Sequence, residues 1–428
     1  MGSCFSCCWC RDGPRDPDHA TSTRTSAGKG DGAHRVLIKG PPRFQLFSFM
    51  QEKTALRPTR RRHHCAYLDG NTMVVFGGSG AKKNVAGNGH GYSTIWLFDL
   101  LTMRWTHLPN RLKCSRPTGD VCSTMLPVEE GVLTFTGNKM FRAGTCHIYN
   151  IRTGCYEQFP CTGDVPPPDS VQQLSYDVDG SHAYLLAPGG VGSMAPSQVY
   201  SLSLPEGEWK RVAQRGHPPS NREGAGIISF WDCFYVVLGK KFGGEGVSAE
   251  EIHKFSYDTC TWDRVPCEPD PTHGFPRPRC YQAVASNSSY AVMCGGKCSL
   301  HTPIFDNPPD WICLMGDVWR LDFLGSRVRW TKLPMNLKRR TASHVAVLSE
   351  SHCLCVFGGI SERNKTVVRD SHGCCIGYVG IPSLAEMAWR NLILSQPHLM
   401  ALSAEKLGAL GVPARFLDFN WTAAASSK

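Results

Sequence analysis

No run in this chain of 428 residues approaches the roughly 18 consecutive apolar residues that would span a bilayer. The N-terminus also lacks the apolar stretch of a secretory signal. These absences predict a protein of the cytoplasm, with the nucleus also open to it, whose 21 cysteines are mostly thiols. No His-Glu-x-x-His or Gly-x-Ser-x-Gly string occurs, and the 16 histidines are scattered. A zinc protease or serine hydrolase would need the first two, and a copper site would need His and Tyr ligands converging on one face. We therefore expect no catalysis, no cofactor and no metal. Basic residues outnumber acidic ones, 46 to 36. Such an excess can draw nucleic acid, anionic lipid or acidic peptide, yet it is not gathered into a long stripe. Arg57-Pro58-Thr59-Arg60-Arg61-Arg62-His63-His64 is too short to argue for nucleic acid, and reads as the entry into a strand.

What the chain does have is turn residues, with 43 glycines and 29 prolines, which favours an all-β body. It also repeats. Val74-Val75-Phe76-Gly77-Gly78 recurs as Val292-Met293-Cys294-Gly295-Gly296 and as Cys355-Val356-Phe357-Gly358-Gly359. Weaker copies end at Gly137, at Gly189-Gly190 and at Gly239, where Lys240 is read as replacing the second glycine. An aromatic follows each of the first five copies: Trp105, Tyr156, Trp209, Trp262 and Trp330. Their spacings are 51, 53, 53 and 68 residues, the last containing an insertion at 297–316. Each unit reads as an apolar strand that exits through glycine, which tolerates positive φ, followed by an outer strand carrying a large ring. One small sheet cannot bury both faces, so the units must pack around an axis. Six glycine marks but five trailing aromatics leave one outer strand unassigned. The segment Phe44-Gln45-Leu46-Phe47-Ser48-Phe49 is predicted to supply it, closing the ring without a free edge.

After the repeats the pattern turns helical. Ser383 and Glu386 have capping-box spacing, and Leu384, Met387, Ala388 and Leu392 fall on one face. Ser403 precedes a second short helix with Leu407 and Leu410 on one side and Gly411 as its stop.

The repeat body, over about residues 55–380, resembles the kelch family, carried by its doubled glycines and spaced tryptophans. Ser383-Leu384 with Ala388 and Leu392 at four-residue steps looks like a BC-box that binds elongin C. Val412-Pro413-Ala414-Arg415-Phe416 looks like the start of a cullin-2 box, although Asn420 departs from it. A kelch body followed by these elements is similar to the kelch-domain substrate receptors of cullin-2 ubiquitin ligases. That resemblance implies a six-bladed kelch β-propeller with a C-terminal BC-box and cullin-box tail. It implies elongin B/C and cullin-2 as partners, and recognition of the C-terminal peptides (C-degrons) of client proteins. Leu384, Ala388 and Leu392 would meet elongin, and Val412, Pro413 and Phe416 the cullin. The terminal carboxylate would need a charge-assisted fork. Arg222 and Arg279 are the first candidates for it, with Arg340, His344, Arg60 and Arg116 beside them. The competing reading is a kelch scaffold or signalling module with no ligase.

The expected boundaries are a leader at 1–40, the propeller at 41–381 with its closing strand at 41–54, the helical tail at 382–420, and a disordered end at 421–428. Within the leader, Met1-Gly2-Ser3-Cys4-Phe5-Ser6 fits a myristoylation signal on Gly2, with Cys4, Cys7 and Cys8 as palmitoylation sites. Two acyl chains would hold the protein stably at a membrane surface. The alternative is a metal site on Cys4, Cys7 and Cys10, which lacks a fourth ligand.

Overall fold

The computed structural model describes residues 47–48, 57–83, 89–92, 94–108, 123–129, 131–138, 143–151, 153–166, 174–176, 181–187, 196–241, 244–299, 312–364, 367–396, 398–399 and 402–417. The chain divides into two units, Met1–Arg43 and Phe44–Lys428, and every described residue lies in the second. Gly2, Cys4, Cys7, Cys8, Cys10, Arg116, Asn420 and the end at 421–428 fall outside the described residues.

Among the described residues, six main sheets follow one another. The first holds Arg62–Asp69, Thr72–Lys83, Ile95–Asp99 and Arg104–His107, paired antiparallel in chain order. The second runs from Ser123–Val128 to Cys155–Phe159, and the third from Leu174–Tyr176 to Glu208–Arg211. The fourth runs from Gly226–Phe230 to Thr261–Val265, and the fifth from Ala283–Ser286 to Arg327–Asn336. The sixth holds Val345–Leu348, Cys353–Phe357 and Cys374–Tyr378. Its outermost strand is Phe47–Ser48, with Phe47 opposite Ile376 and Ser48 opposite Cys375. The first strand of each sheet touches the first strand of the next, and that of the sixth returns to that of the first. The arrangement is propeller-like.

The core lies between sheets. Tyr156, Trp209, Trp262 and Trp330 are buried, and Trp105 nearly so. Each packs on the sheet before its own. Trp105 meets Phe357, with ring centroids 4.7 Å apart, Tyr156 meets Phe76 at 6.3 Å, and Trp209 meets Phe135 at 5.4 Å. Trp330 donates its indole N–H to Ala249 O at 3.0 Å. Truncating such a ring costs about 3–5 kcal/mol. Among the described residues, the interface between the fifth and sixth sheets has no such tryptophan and is filled by Met335, Leu337, Leu348, Leu354 and Val379. This is the sheet whose outer strand comes from Phe47–Ser48.

The glycine pair has a packing cause as well as a conformational one. A Cβ on Gly295 would lie 2.7 Å from His344 Cε1, and one on Gly358 would lie 2.5 Å from His64 Cε1. The fifth and sixth sheets thus each make room for an imidazole of the next. In the fourth sheet the equivalent pair is Leu238 and Gly239, at φ 58° and 95°. The first glycine is replaced there, by Leu238, and not the second by Lys240. The reason is register: Val237 lies opposite Gly226, which puts Leu238 in the place of Gly77.

Candidate functional site

Among the described residues, the loops that enter the first, fourth, fifth and sixth sheets meet through backbone hydrogen bonds, and one buried arginine anchors three of them in the same way. Arg61, Arg222 and Arg279 each send Nε to the carbonyl two residues earlier, at 3.2, 3.3 and 2.9 Å. Each sends Nη1 to the carbonyl at the glycine-pair position: Gly77 at 3.1 Å, Leu238 at 3.3 Å and Gly295 at 3.1 Å. Arg222 adds an ion pair to Glu251 at 2.5 Å. Arg279 forms a two-pronged fork with Asp317, at 2.6 and 2.8 Å. Arg222 and Arg279, expected to grip a ligand, are therefore buried and spent on internal carbonyls and carboxylates. His344 is also buried, its Nε2 3.5 Å from Cys294 Sγ.

Two residues after each arginine, and after Thr341 at the same position of the sixth sheet, the backbone turns left-handed. His63, Tyr281 and Ser343 have φ of 54°, 56° and 53°, and Gly224 has 62°. These four residues hydrogen-bond around the axis: Tyr281 N to Gly224 O at 2.9 Å, Ser343 N to Tyr281 O at 2.9 Å, and His63 N to Ser343 O at 3.2 Å. They form a belt across four sheets. The His63 and Tyr281 rings meet edge to face at 5.7 Å, the Tyr281 hydroxyl donates to Glu223, and the Lys297 ammonium lies 4.6 Å over the Tyr281 ring. Burial, then the charges of Arg62 and Lys297, holds the His63 imidazole down to about 4.

Arg60 and Arg340 lie one residue before the Arg61 position and its sixth-sheet counterpart, Thr341, and both are exposed. Arg60 donates to His372 Nδ1 at 3.1 Å. Burial and the nearby charges of Arg57, Arg60 and Arg339 lower that imidazole's pKa. Arg57, Arg277, Arg339 and Arg340 have no carboxylate partner among the described residues. The sequence pointed to this loop, but one residue too early for the buried tie. Nothing in Arg60-Arg61-Arg62 itself says which guanidinium turns inward.

A second candidate surface is the tail. Leu384–Ser395 is a helix capped by Ser383, whose hydroxyl accepts from Glu386 N at 3.2 Å. The Glu386 carboxylate does not complete the capping box. It turns to accept from the Tyr378 hydroxyl at 2.8 Å. The helix carries two apolar stripes offset by one residue. Ala385, Trp389 and Ile393 pack with Leu101 of the first sheet and with Leu407 and Phe416 of the tail. Leu384, Ala388 and Leu392 face outward, with Leu384 81% and Leu392 39% exposed. Met387, expected on that face, is half-buried. Arg390 bridges two sheets, donating to Leu100 O at 3.4 Å and to Cys353 Sγ at 3.1 Å. Phe416, expected at a cullin, is 5% exposed and stacks on Trp389 at 5.6 Å, so its ring is used within the tail. Val412 is half-buried and Pro413 exposed.

A model of the KLHDC2/KLHL20/DRC7 Kelch-repeats domain matches residues 47–190. The chain carries a kelch-repeat domain. Kelch domain-containing protein 10 of Xenopus tropicalis is 25% identical over 408 residues, covering 90% of this chain and 91% of that protein. The Homo sapiens protein of the same name is 22% identical over 368 residues, covering 83% and 78%. The chain is thus homologous to Kelch domain-containing protein 10 at modest identity. The solved structure of YjhT superposes with a TM-score of 0.50 at 12% identity, over 75% of this chain and 96% of that one. That likeness speaks for the propeller-like fold alone.

Proposed function

We propose that this protein is a substrate-recognition subunit of a cullin-2–elongin B/C ubiquitin ligase, built as a six-bladed kelch β-propeller with a BC-box helix. The kelch domain is a protein-interaction module, and the tail gives the reading its direction. Its supporting observation is the Leu384, Ala388, Leu392 stripe, left open while the neighbouring stripe of the same helix is buried. A helix needed only to seal the sheets would have no use for an outward leucine of this kind. The chain itself performs no chemistry in this role. Elongin C takes Leu384 in a pocket, and Ala388 allows close backbone approach. Pro413, with the accessible part of Val412, is the cullin-facing element.

The loop end of the propeller takes the C-terminal peptides of clients. The exposed arginines Arg60 and Arg340, with Arg57, Arg277 and Arg339 around them, supply charge for a carboxylate. Arg61 and Arg279 hold the loops that carry Arg60 and Arg277. Acylation at Gly2 with Cys4, Cys7 or Cys8 would place part of the population at a membrane surface. Elongins B and C should co-purify with the intact chain and be lost with Leu384→Ser and with Ala388→Asp. Equal recovery with both variants would favour the plain scaffold reading.

A further inference from the structure

The insertion of the fifth sheet opens on a short hairpin, Lys297–Ser299 paired antiparallel with Ile312–Leu314. Cys298 lies directly opposite Cys313 in this ladder. Both are free and half-buried. The register also says which kind of pair they make. Lys297 exchanges both backbone hydrogen bonds with Cys280 on its other side, each at 2.9 Å, while Met315 N donates to Gly296 O at 2.9 Å. Alternation along an antiparallel ladder then makes Cys298 and Cys313 a hydrogen-bonded pair, with Cα atoms about 5.5 Å apart. A disulfide needs a separation of about 4.4–6.8 Å. The Cα separation therefore falls within the range that a disulfide spans.

The two thiols are chemically unlike. A hydrogen bond from Cys298, opposed by burial and aided by the charges of Arg340 and Arg277, draws the Cys313 thiol down to about 6. The same bond, with burial, pushes Cys298 up. The positive charges of Arg340 and Arg277 near Cys313 favour a thiolate there, so Cys313 is taken as the attacking sulfur and Cys298 as the resolving thiol.

We propose that Cys298 and Cys313 are a redox modification site, forming a reversible disulfide when a hydroperoxide reaches this end of the molecule. The Cys313 thiolate attacks the peroxide, breaking its O–O bond. This gives a sulfenic acid and, with hydrogen peroxide, hydroxide that takes up a proton as water. The Cys298 thiol then displaces the sulfenic oxygen, forming the S–S bond and releasing a second water. Two thiols are oxidised and one peroxide is reduced to two waters. The bond staples the strand that carries Lys297, and with it the ammonium above Tyr281. The proposal does not depend on the ligase reading.

Its test uses the purified full-length chain treated with hydrogen peroxide at neutral pH, blocked with N-ethylmaleimide and digested without reduction. The expected product is a Cys298–Cys313 linked peptide, abolished by dithiothreitol. Before oxidation, Cys313 should label with iodoacetamide at pH 6.5 about tenfold faster than a typical thiol of the same chain. Cys298→Ser should leave a sulfenic acid on Cys313 that dimedone traps. Recovery of both cysteines as blocked thiols after peroxide, linkage of Cys298 to Cys280 in preference to Cys313, or ordinary labelling of Cys313 would each overturn the proposal.

Discussion

Replacing Arg279 by alanine separates a structural tie from a ligand grip. Arg279 is 1% exposed and makes four hydrogen bonds: two to Asp317, one to Gly295 O and one to Arg277 O. Removing it leaves the Asp317 carboxylate with the Trp319 indole N–H at 2.6 Å and partial access to water. Breaking a buried pair from one side costs about 3–5 kcal/mol. Because water reaches the 24% exposed Asp317 side chain, the low end, about 3 kcal/mol, is expected. At roughly 2 °C per kcal/mol for a chain of this size, the melting temperature should fall by about 6 °C. Arg340→Gln, on an exposed side chain, should stay within about 0.5 kcal/mol of the parent. It should instead weaken binding of client C-terminal peptides, as C-terminal amidation of the peptide should. Thermal melts and peptide titrations of the two variants provide the assay. An Arg279→Ala protein that melts with the parent would refute the tie. A peptide indifferent to both amidation and Arg340→Gln would refute carboxylate capture. The tie also has a pH signature. Burial pushes the Asp317 carboxyl up, but the bonds and charge of Arg279 outweigh it and leave the pKa below its usual value. The pair's contribution is thus present above the unfolded value of about 3.9 and lost as pH falls through the folded value. The gap between parent and Asp317→Asn should close in acid.

A milder acid range tests the buried imidazoles. Burial holds His344 to about 4, as it does His63 with help from Arg62 and Lys297. The unfolded chain takes up these protons near pH 6.5, so their contribution is full above that value and declines toward pH 4. Urea midpoints should drop over that window, and a flat profile would refute the assignment. For the leader, Gly2→Ala should shift the protein from membrane to cytosol on fractionation of cells. An unaltered distribution would dismiss the acyl anchor.

The parts of the fold that could be read from the residues are those where one residue type has one job. The markers from Trp105 to Trp330 stood out because a large ring between sheets has few substitutes, and the glycine pairs because His64 and His344 leave no room for a Cβ. The belt was hidden. Three of its four left-handed positions are His63, Tyr281 and Ser343, side chains that give no hint of positive φ. The fourth-sheet pair was misread for the same reason, since Leu238 takes a conformation usually left to glycine. In the tail, periodicity found Leu384, Ala388 and Leu392, but could not rank that stripe against Trp389 and Ile393 one residue along. The positions of Leu101, Leu407 and Phe416 decide which of the two is covered.

The pairing of Phe47–Ser48 with Cys374–Tyr378 sets an order of events for a chain emerging from a ribosome. The strand Phe47–Ser48 has to wait for one made more than three hundred residues later, so the sixth sheet closes only once Cys374–Tyr378 has been synthesised. The helix beginning at Leu384 is anchored to Tyr378 of the sixth sheet and to Leu100 and Leu101 of the first. A nascent or truncated chain that had not closed this sheet would lack the footing that orients this helix. Under the proposed function, elongin C would then meet the outward leucines in their fixed setting only on molecules whose sixth sheet is already closed.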